Sequence, residues 1–133
     1  MSRVISGSQK FDRGLTHLIH AELHWLDVRE RVKYKLGMIT RRCLNGTAPQ
    51  YLAAHSHCVP VSATASRQHL RSAASHQLVV PSYRLSSYGR RAFSVAGPTK
   101  WNSLPKQLRD PVHTTSVLLF ACLLTTFLFS DEY

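Results

Sequence analysis

Residues 88–105 read YGRRAFSVAGPTKWNSLP, and they contain the strongest local constraints on the backbone in this chain. The pair Gly97-Pro98 ends any strand that reaches it. Proline is tolerated in the first turn of a helix, so Pro98 would lie at the start of a short helix that runs through Trp101. Pro105 can likewise open a second helical turn. The stretch therefore predicts turns and short helices around Trp101.

Two β-prone runs flank the first turn of this stretch, at Gln77–Val80 and Phe93–Val95. Branched and aromatic residues favour strands, and Pro81 stops the first run. A connection that turns at Gly89 would let the two runs pair. We therefore predict a small two-stranded β element.

Further upstream, the sequence predicts a helix from about Val28 to Leu44. Asp27 and Glu30 have the spacing of a capping box, and Gly46 can adopt the left-handed conformation of a helix end. Apolar residues recur at three- and four-residue intervals along the helix, which predicts one buried stripe. The stripe consists of Val28, Val32, Leu36, Ile39 and Cys43.

The rest of the chain is divided by composition. Residues 1–14 are polar and are predicted to be disordered, and residues 15–52 form a helical pair. Residues 53–76 form a loop or linker, because Ala, Ser and His predominate there without a clear period. Residues 77–110 hold the short strands and turns, and residues 111–133 form an apolar C-terminal helix. The predicted fold class is mainly α, with the small two-stranded β element and a long irregular loop.

The apolar C-terminal segment has two interpretations. Its apolar run from Val117 to Phe129 contains thirteen residues, whereas a helix needs about twenty to cross a hydrocarbon core. A helix buried against the rest of the chain is therefore the preferred prediction. Membrane association of this segment is the alternative.

Charge is unevenly distributed in this chain, whose formal net charge is +10 at pH 7. From Arg31 to Arg109 there are thirteen basic residues and no acid. Such a field attracts polyanions through phosphate neutralisation and counterion release, so nucleic acid is the predicted partner and an anionic membrane is the second candidate. A solvated basic surface without a specific partner is the third interpretation.

Patterns of catalytic and metal-binding residues are missing from the sequence. Two-metal nucleases and polymerases need converging carboxylates, and there is no acid between Glu30 and Asp110. The two histidine clusters are His17, His20 and His24, and His55 and His57 with Cys58. Neither cluster completes a recognised zinc spacing. We therefore predict no enzyme activity, no metal, no cofactor and no small-molecule substrate.

Cysteine usage and the N-terminal sequence bear on the compartment. The chain has three cysteines, an odd number at wide spacing, which does not describe a disulfide framework. The first residues, MSRVISGSQKFDRG, lack the apolar segment of a secretory signal. We therefore expect an intracellular protein, in the nucleus or the cytoplasm.

Three motifs occur in a distinctive order: LHWL at residues 23–26, LNGTAPQYL at 44–52 and YGRRAFSVAGPTKWNSLP at 88–105. In this combination the chain resembles the C-terminal region of LINE-type (non-LTR) retrotransposon polyproteins, which lies downstream of the reverse transcriptase core. The resemblance implies an incomplete fragment of a larger protein, whose endonuclease and reverse transcriptase parts are absent here. It also implies a basic, helical tail that contacts template or target nucleic acid.

The chain departs from the family pattern at its C-terminal end. There the family has an amphipathic helix with basic residues, whereas TSVLLFACLLTTFLF carries no charge. The resemblance therefore implies a decayed or truncated copy.

The predicted function is a remnant of a retrotransposon reverse transcriptase C-terminal region that at most binds RNA or single-stranded DNA, without catalysis. The alternatives are a membrane-associated or partner-binding small protein that acts through the apolar C-terminal segment, and a translation product without a selected function. The predicted nucleic-acid contacts are Arg29, Arg31, Lys33, Arg41, Arg42, Arg90, Arg91, Lys100 and Trp101.

Overall fold

The computed structural model describes residues 25–55 and 58–130. The chain divides into two compact units, Met1–Val32 and Lys33–Tyr133. The helices of the described residues are α1 (Val28–Leu44), α2 (Gln50–His55), α3 (Arg71–Ala74), α4 (Phe93–Ser103), α5 (Lys106–Arg109) and α6 (Val117–Ser130). Two 3₁₀ turns lie between them, at Val61–Ala63 and Gly89–Arg91.

Helix α1 begins in the first unit, at the residue that the sequence predicts. The Asp27 carboxylate accepts a hydrogen bond from the backbone N–H of Val28 at 2.7 Å. The Asp27 carbonyl accepts the first helical bond, from the N–H of Arg31 at 2.9 Å. In a capping box the side chain accepts from the third N–H of the helix, so this bond from the first N–H differs from the predicted arrangement. The helix expected in residues 15–24 and the disorder expected in residues 1–14 lie outside the described residues.

Helix α1 ends in the second unit, at the glycine turn that the sequence predicts. Gly46 has a φ of +69°, in the left-handed region that glycine enters without steric cost. Its N–H donates to the carbonyl of Cys43 at 3.2 Å, and the N–H of Thr47 donates to the carbonyl of Arg42 at 2.9 Å. These bonds satisfy two of the carbonyls that the end of a helix leaves without helical partners.

The buried face of α1 differs from the predicted apolar stripe. Val28 and Val32 are exposed, so the prediction is wrong for these residues. The other three stripe residues, Leu36, Ile39 and Cys43, are only half-buried. The residues of α1 that are buried in the second unit include Gly37 and Thr40, which have small side chains or none. Hydrophobic periodicity did not indicate this face, because neither residue is strongly apolar.

Close approach between helices explains why these small residues are buried. A Cβ atom on Gly37 would lie 3.0 Å from a δ-methyl group of Leu124 in α6. A Cβ atom on Gly97 of α4 would lie 3.1 Å from the hydroxyl oxygen of Thr40. Both distances are tighter than ordinary van der Waals contact, so the two glycines let α6 and α4 pack closely against α1.

Aromatic and aliphatic side chains of α4 and α6 form the core of the second unit. The most deeply buried are Trp101, Phe120, Leu124 and Leu128. The ring centroids of Trp101 and Phe120 are 5.8 Å apart, with an angle of 35° between the ring planes. Residues 120, 124 and 128 recur every fourth position and give α6 one buried face. Among residues 25–55 and 58–130, no helix has both the length and the apolarity needed to cross a membrane.

The predicted two-stranded β element is wrong, because the described residues contain no strand. Phe93–Val95 forms the first turn of α4 instead of a strand. The helix therefore begins earlier than expected and contains Pro98, which the sequence had placed in the first turn. Proline removes one backbone donor inside a helix. The hydroxyl of Thr99 donates to the carbonyl of Val95 at 2.6 Å and adds a bond in this part of α4.

The segment Gln77–Val80, which the sequence predicted to be the other strand, forms hydrogen bonds with different groups on its two sides. On one side, segment 59–61 forms a single antiparallel bridge, between Pro60 and Leu78. On the other side, the Asn102 side-chain amide donates to the carbonyl of Leu78 and accepts from its N–H, both at 2.8 Å. The backbone groups of Leu78 that a second strand would use are therefore bonded to a side chain, which is why the β pairing does not form.

Residues 53–76 contain more local structure than the predicted loop. Their described part includes the end of α2, the 3₁₀ turn Val61–Ala63 and the short helix α3. Each of these elements is short, so the absence of a clear hydrophobic period in the sequence is expected.

Replacing Asn102 by Asp is expected to lower the free energy of unfolding by about 1–3 kcal/mol, because a carboxylate cannot donate to the carbonyl of Leu78. The matched control is Asn45→Asp, the same chemical change at an exposed position. Urea unfolding followed by circular dichroism measures both variants. Equal stability of the two would show that the bonds between Asn102 and Leu78 contribute nothing to the fold.

Candidate nucleic-acid interface

The predicted contact residues differ widely in exposure. The exposed side chains are those of Arg29, Arg31, Arg42, Arg90, Arg91 and Lys100, whereas Lys33 is half-buried and Arg41 and Trp101 are buried. Arg29 and Arg31 belong to the first unit and the other residues belong to the second. Exposed guanidinium and ammonium groups can reach phosphate oxygens without rearrangement of the fold. Within the predicted set, only the exposed and half-buried side chains are therefore open to a phosphate contact.

Arg41 has a structural environment, although it lies beside the exposed Arg42 in the sequence. Only 5% of its surface is accessible. Its guanidinium donates a hydrogen bond from an Nη atom to the backbone carbonyl of Thr114. The guanidinium carbon also lies 5.5 Å from the centroid of the Phe120 ring, within the range of a cation–π interaction. Arg41 therefore joins α1 to the start of the C-terminal helical region and is not available to a phosphate.

Trp101 is the largest buried side chain of the second unit, with 1% of its surface accessible. Its indole Nε1–H donates to the backbone carbonyl of His76 at 3.1 Å. Its ring packs beside Phe120. Base stacking requires an open aromatic face, so Trp101 cannot provide it in this fold.

Arg90 lies in the 3₁₀ turn Gly89–Arg91 and is positioned by Tyr83. The Nε–H of Arg90 donates to the hydroxyl of Tyr83 at 2.9 Å. A Cβ atom on Gly89 would lie 2.8 Å from side-chain atoms of Tyr83, so glycine is needed for the tyrosine to lie against this turn. The bond occupies Nε, whereas a bidentate phosphate contact can use the terminal Nη groups. Tyr83 was not among the predicted contact residues, since its distance from Arg90 in the sequence gives no pairing signal.

Two of the predicted residues, Lys33 and Lys100, line the same cavity. The cavity has a volume of about 290 Å³ and lies in the second unit. Lys33 belongs to α1 and Lys100 to α4. The sequence does not indicate that Lys33 and Lys100 line one cavity, because their shared position follows from the packing of two helices that are distant along the chain.

In the described part of the chain, burial and local hydrogen bonds change the pKa values of three charged groups. Desolvation lowers the pKa of Arg41 and of Arg109, because burial disfavours the charged guanidinium. Both side chains stay charged at neutral pH, since arginine titrates far above it. The pKa of Asp110 is lowered, chiefly because the N–H of Val112 donates to its carboxylate at 2.9 Å. The His113 imidazole, 3.2 Å from that carboxylate, contributes in the same direction.

The described residues contain no arrangement that would hold a metal ion. Within residues 25–55 and 58–130, no group of three or more His, Cys, Asp or Glu side chains is suitably placed. His17, His20, His24 and His57 lie outside the described residues.

Comparison with known proteins identifies no relative of this chain. No protein-family model, no curated protein and no solved structure matches it. The retrotransposon origin indicated by the three motifs therefore stays a prediction, and the function is inferred from the residues and their geometry.

Arg41→Ala is expected to lower the free energy of unfolding by about 2–3 kcal/mol, because it removes a charge-assisted hydrogen bond and a cation–π contact. Arg42→Ala, the matched control on the next residue of α1, should change stability by about 0.5 kcal/mol or less. Chemical unfolding curves measure both variants. If the two variants lose the same stability, Arg41 does not have the structural role inferred here.

Proposed function

We propose that this chain binds RNA or single-stranded DNA, without catalysis, through its exposed basic side chains. The observation that carries the proposal is the stretch from Arg31 to Arg109, which contains thirteen basic residues and no acid. Exposed arginines at positions 42, 90 and 91 support it, since their charges face solvent. A positive surface of this kind binds phosphates by releasing condensed counterions.

The three LINE-like motifs add a second line of support. They suggest that the chain is a remnant of the region that follows a reverse transcriptase core, which would act near template and target strands. Of the predicted contact residues inside the motif at residues 88–105, Arg90, Arg91 and Lys100 are exposed.

The burial of Trp101 determines the kind of binding that we expect. With this ring in the core, the exposed arginines and lysines contribute mainly phosphate contacts. Phosphate contacts carry no direct information about base sequence. Binding should therefore depend strongly on salt and weakly on sequence.

The logarithm of the association constant should fall linearly with the logarithm of salt concentration, with a slope of about −0.7 for each phosphate neutralised on a single strand. Replacing Arg90 and Arg91 together by Gln should reduce the magnitude of this slope by about 0.7 for each phosphate that the variant no longer neutralises. Fluorescence anisotropy with labelled RNA and single-stranded DNA measures both quantities.

The control for this experiment is the double variant Arg67→Gln with Arg71→Gln. It removes the same charge from exposed positions outside the predicted contacts and should change the slope less. Absence of binding at low ionic strength, or binding that does not depend on salt, would refute the proposed function.

The exposed face of α6 favours a second candidate function, association with an anionic membrane surface. Leu118 has 79% of its surface exposed, and Leu119 and Leu123 are also exposed. Val112, just before the helix, is exposed as well. A basic chain would be attracted to anionic lipid, and these side chains could then enter the headgroup region.

If this second function is correct, the chain should float with vesicles that contain anionic lipid, and Leu118→Glu should float less while keeping its affinity for nucleic acid. The exposed position of Leu118 means that this change leaves the core intact. Leu118→Ala is the matched control for the loss of side-chain volume. Equal flotation of the Glu variant and the unchanged chain would exclude the role of α6.

The remaining interpretation is a translation product without a selected function. It gives no reason for salt-dependent binding to depend on Arg90 and Arg91 more than on other exposed arginines. The two experiments above therefore also separate this interpretation from the proposed functions.

A further inference from the structure

A cavity of about 290 Å³ in the second unit is lined by residues from three helices. Helix α1 contributes Lys33, helix α4 contributes Lys100 and Ser103, and helix α6 contributes Phe127 and Leu128. Gly37 and Leu104 also line it. The cavity therefore combines a charged part with an apolar part.

The charged part suits a phosphate group. Lys33 and Lys100 supply two ammonium groups from different helices, and each ammonium group has three N–H donors. Ammonium groups are common phosphate ligands in proteins because they act as compact point charges.

The apolar part suits the flat face of a base. Phe127 is half-buried, so part of its ring surface remains accessible, and Leu104 and Leu128 are buried around it. Aromatic side chains provide stacking for any base, because every base has a π-face. An apolar surface next to two ammonium groups is the combination that a nucleotide requires.

The Ser103 hydroxyl adds a further polar group to the lining of the cavity. It donates a hydrogen bond to the carbonyl of Lys100 at 2.7 Å. With its hydrogen used in this bond, the hydroxyl oxygen can still accept one. A sugar hydroxyl is a donor that could satisfy it, whereas a simple inorganic anion has no such group.

We propose that this cavity binds one nucleotide, with its phosphate at Lys33 and Lys100 and its base against Phe127. The volume of about 290 Å³ lies just below the usual range for ligand pockets, about 300–1,000 Å³, which limits the ligand to a single nucleotide and excludes a duplex. This inference rests on the proposed function and adds to it, since one nucleotide would be held inside the protein while the exposed arginines contact the rest of a strand.

Calorimetric titration at low salt with a nucleoside monophosphate, the corresponding nucleoside and inorganic phosphate tests the inference. The monophosphate should bind at least about tenfold more tightly than the nucleoside, because it alone places a charged group at the two lysines. It should also bind more tightly than inorganic phosphate, which makes no contact with Phe127. Equal affinity for the monophosphate and the nucleoside would overturn the assignment of the phosphate to the two lysines. Equal affinity for the monophosphate and inorganic phosphate would overturn the assignment of the base to Phe127.

Variants of the lining residues identify the site. Lys33→Gln and Lys100→Gln should each weaken binding of the monophosphate by about tenfold or more, and Phe127→Leu should weaken it while leaving the affinity for inorganic phosphate unchanged. Lys106→Gln is the matched control, since Lys106 is an exposed lysine outside this cavity. Circular dichroism confirms that each variant is folded, and Lys100 is itself exposed, so its replacement leaves the core intact.

Oligonucleotides of about 10 nucleotides, with and without a 5′-phosphate, show whether the bound nucleotide belongs to a strand. A preference for the phosphorylated strand that disappears in Lys100→Gln assigns the cavity to a strand end. No such preference, together with binding of the monophosphate, assigns it to a free nucleotide. Both results support the site.

Failure of this inference can be distinguished from failure of the proposed function. If oligonucleotide binding depends on salt and on Arg90 and Arg91, but the monophosphate binds equally to the unchanged chain and to Lys33→Gln and Lys100→Gln, the cavity site is wrong and the proposed function stands. If oligonucleotides do not bind, but the monophosphate binds in a way that depends on Lys33 and Lys100, the proposed function is wrong and the cavity site stands. If neither oligonucleotides nor the monophosphate binds, both are wrong.

Discussion

The side chains of Trp101 and Asn102 fix the position of an extended segment on which the second unit depends. Asn102 binds both backbone polar groups of Leu78, and the indole of Trp101 binds the carbonyl of His76. These bonds hold segment 76–78 against α4 and satisfy backbone groups that would otherwise need a neighbouring strand. The same contact leaves the Trp101 ring in the core beside Phe120. Because of these contacts, the described part of the second unit consists of helices with an extended segment and does not form a β hairpin.

Close helix packing decides which basic residues can act as ligands for phosphate. Gly37 and Gly97 allow α1, α4 and α6 to approach one another, and this approach places Arg41 over the ring of Phe120 with a hydrogen bond to Thr114. A buried arginine in such a setting contributes to stability and not to a surface field. The adjacent Arg42 remains exposed, so two consecutive arginines of one helix have different roles.

Local sequence patterns predicted the ends of α1 well. Asp27 accepts a hydrogen bond from the first turn, and Gly46 takes the left-handed conformation, because both effects act between residues close in the chain. The prediction of the buried stripe failed at Val28 and Val32, because periodicity reports which residues are apolar and does not report which face a distant helix covers. The prediction of a strand at Phe93–Val95 failed because strand propensity depends on available partners, and these residues became helical instead.

The sequence by itself determined the helical character of the chain, both ends of α1 and the absence of acids from Arg31 to Arg109, since each follows from composition or from neighbouring residues. Only the tertiary structure decided that Trp101 and Arg41 are buried and that Lys33 and Lys100 line one cavity. These features depend on contacts between helices far apart in the chain, which are set by side-chain shape and backbone hydrogen bonding and leave no periodic signal in the sequence.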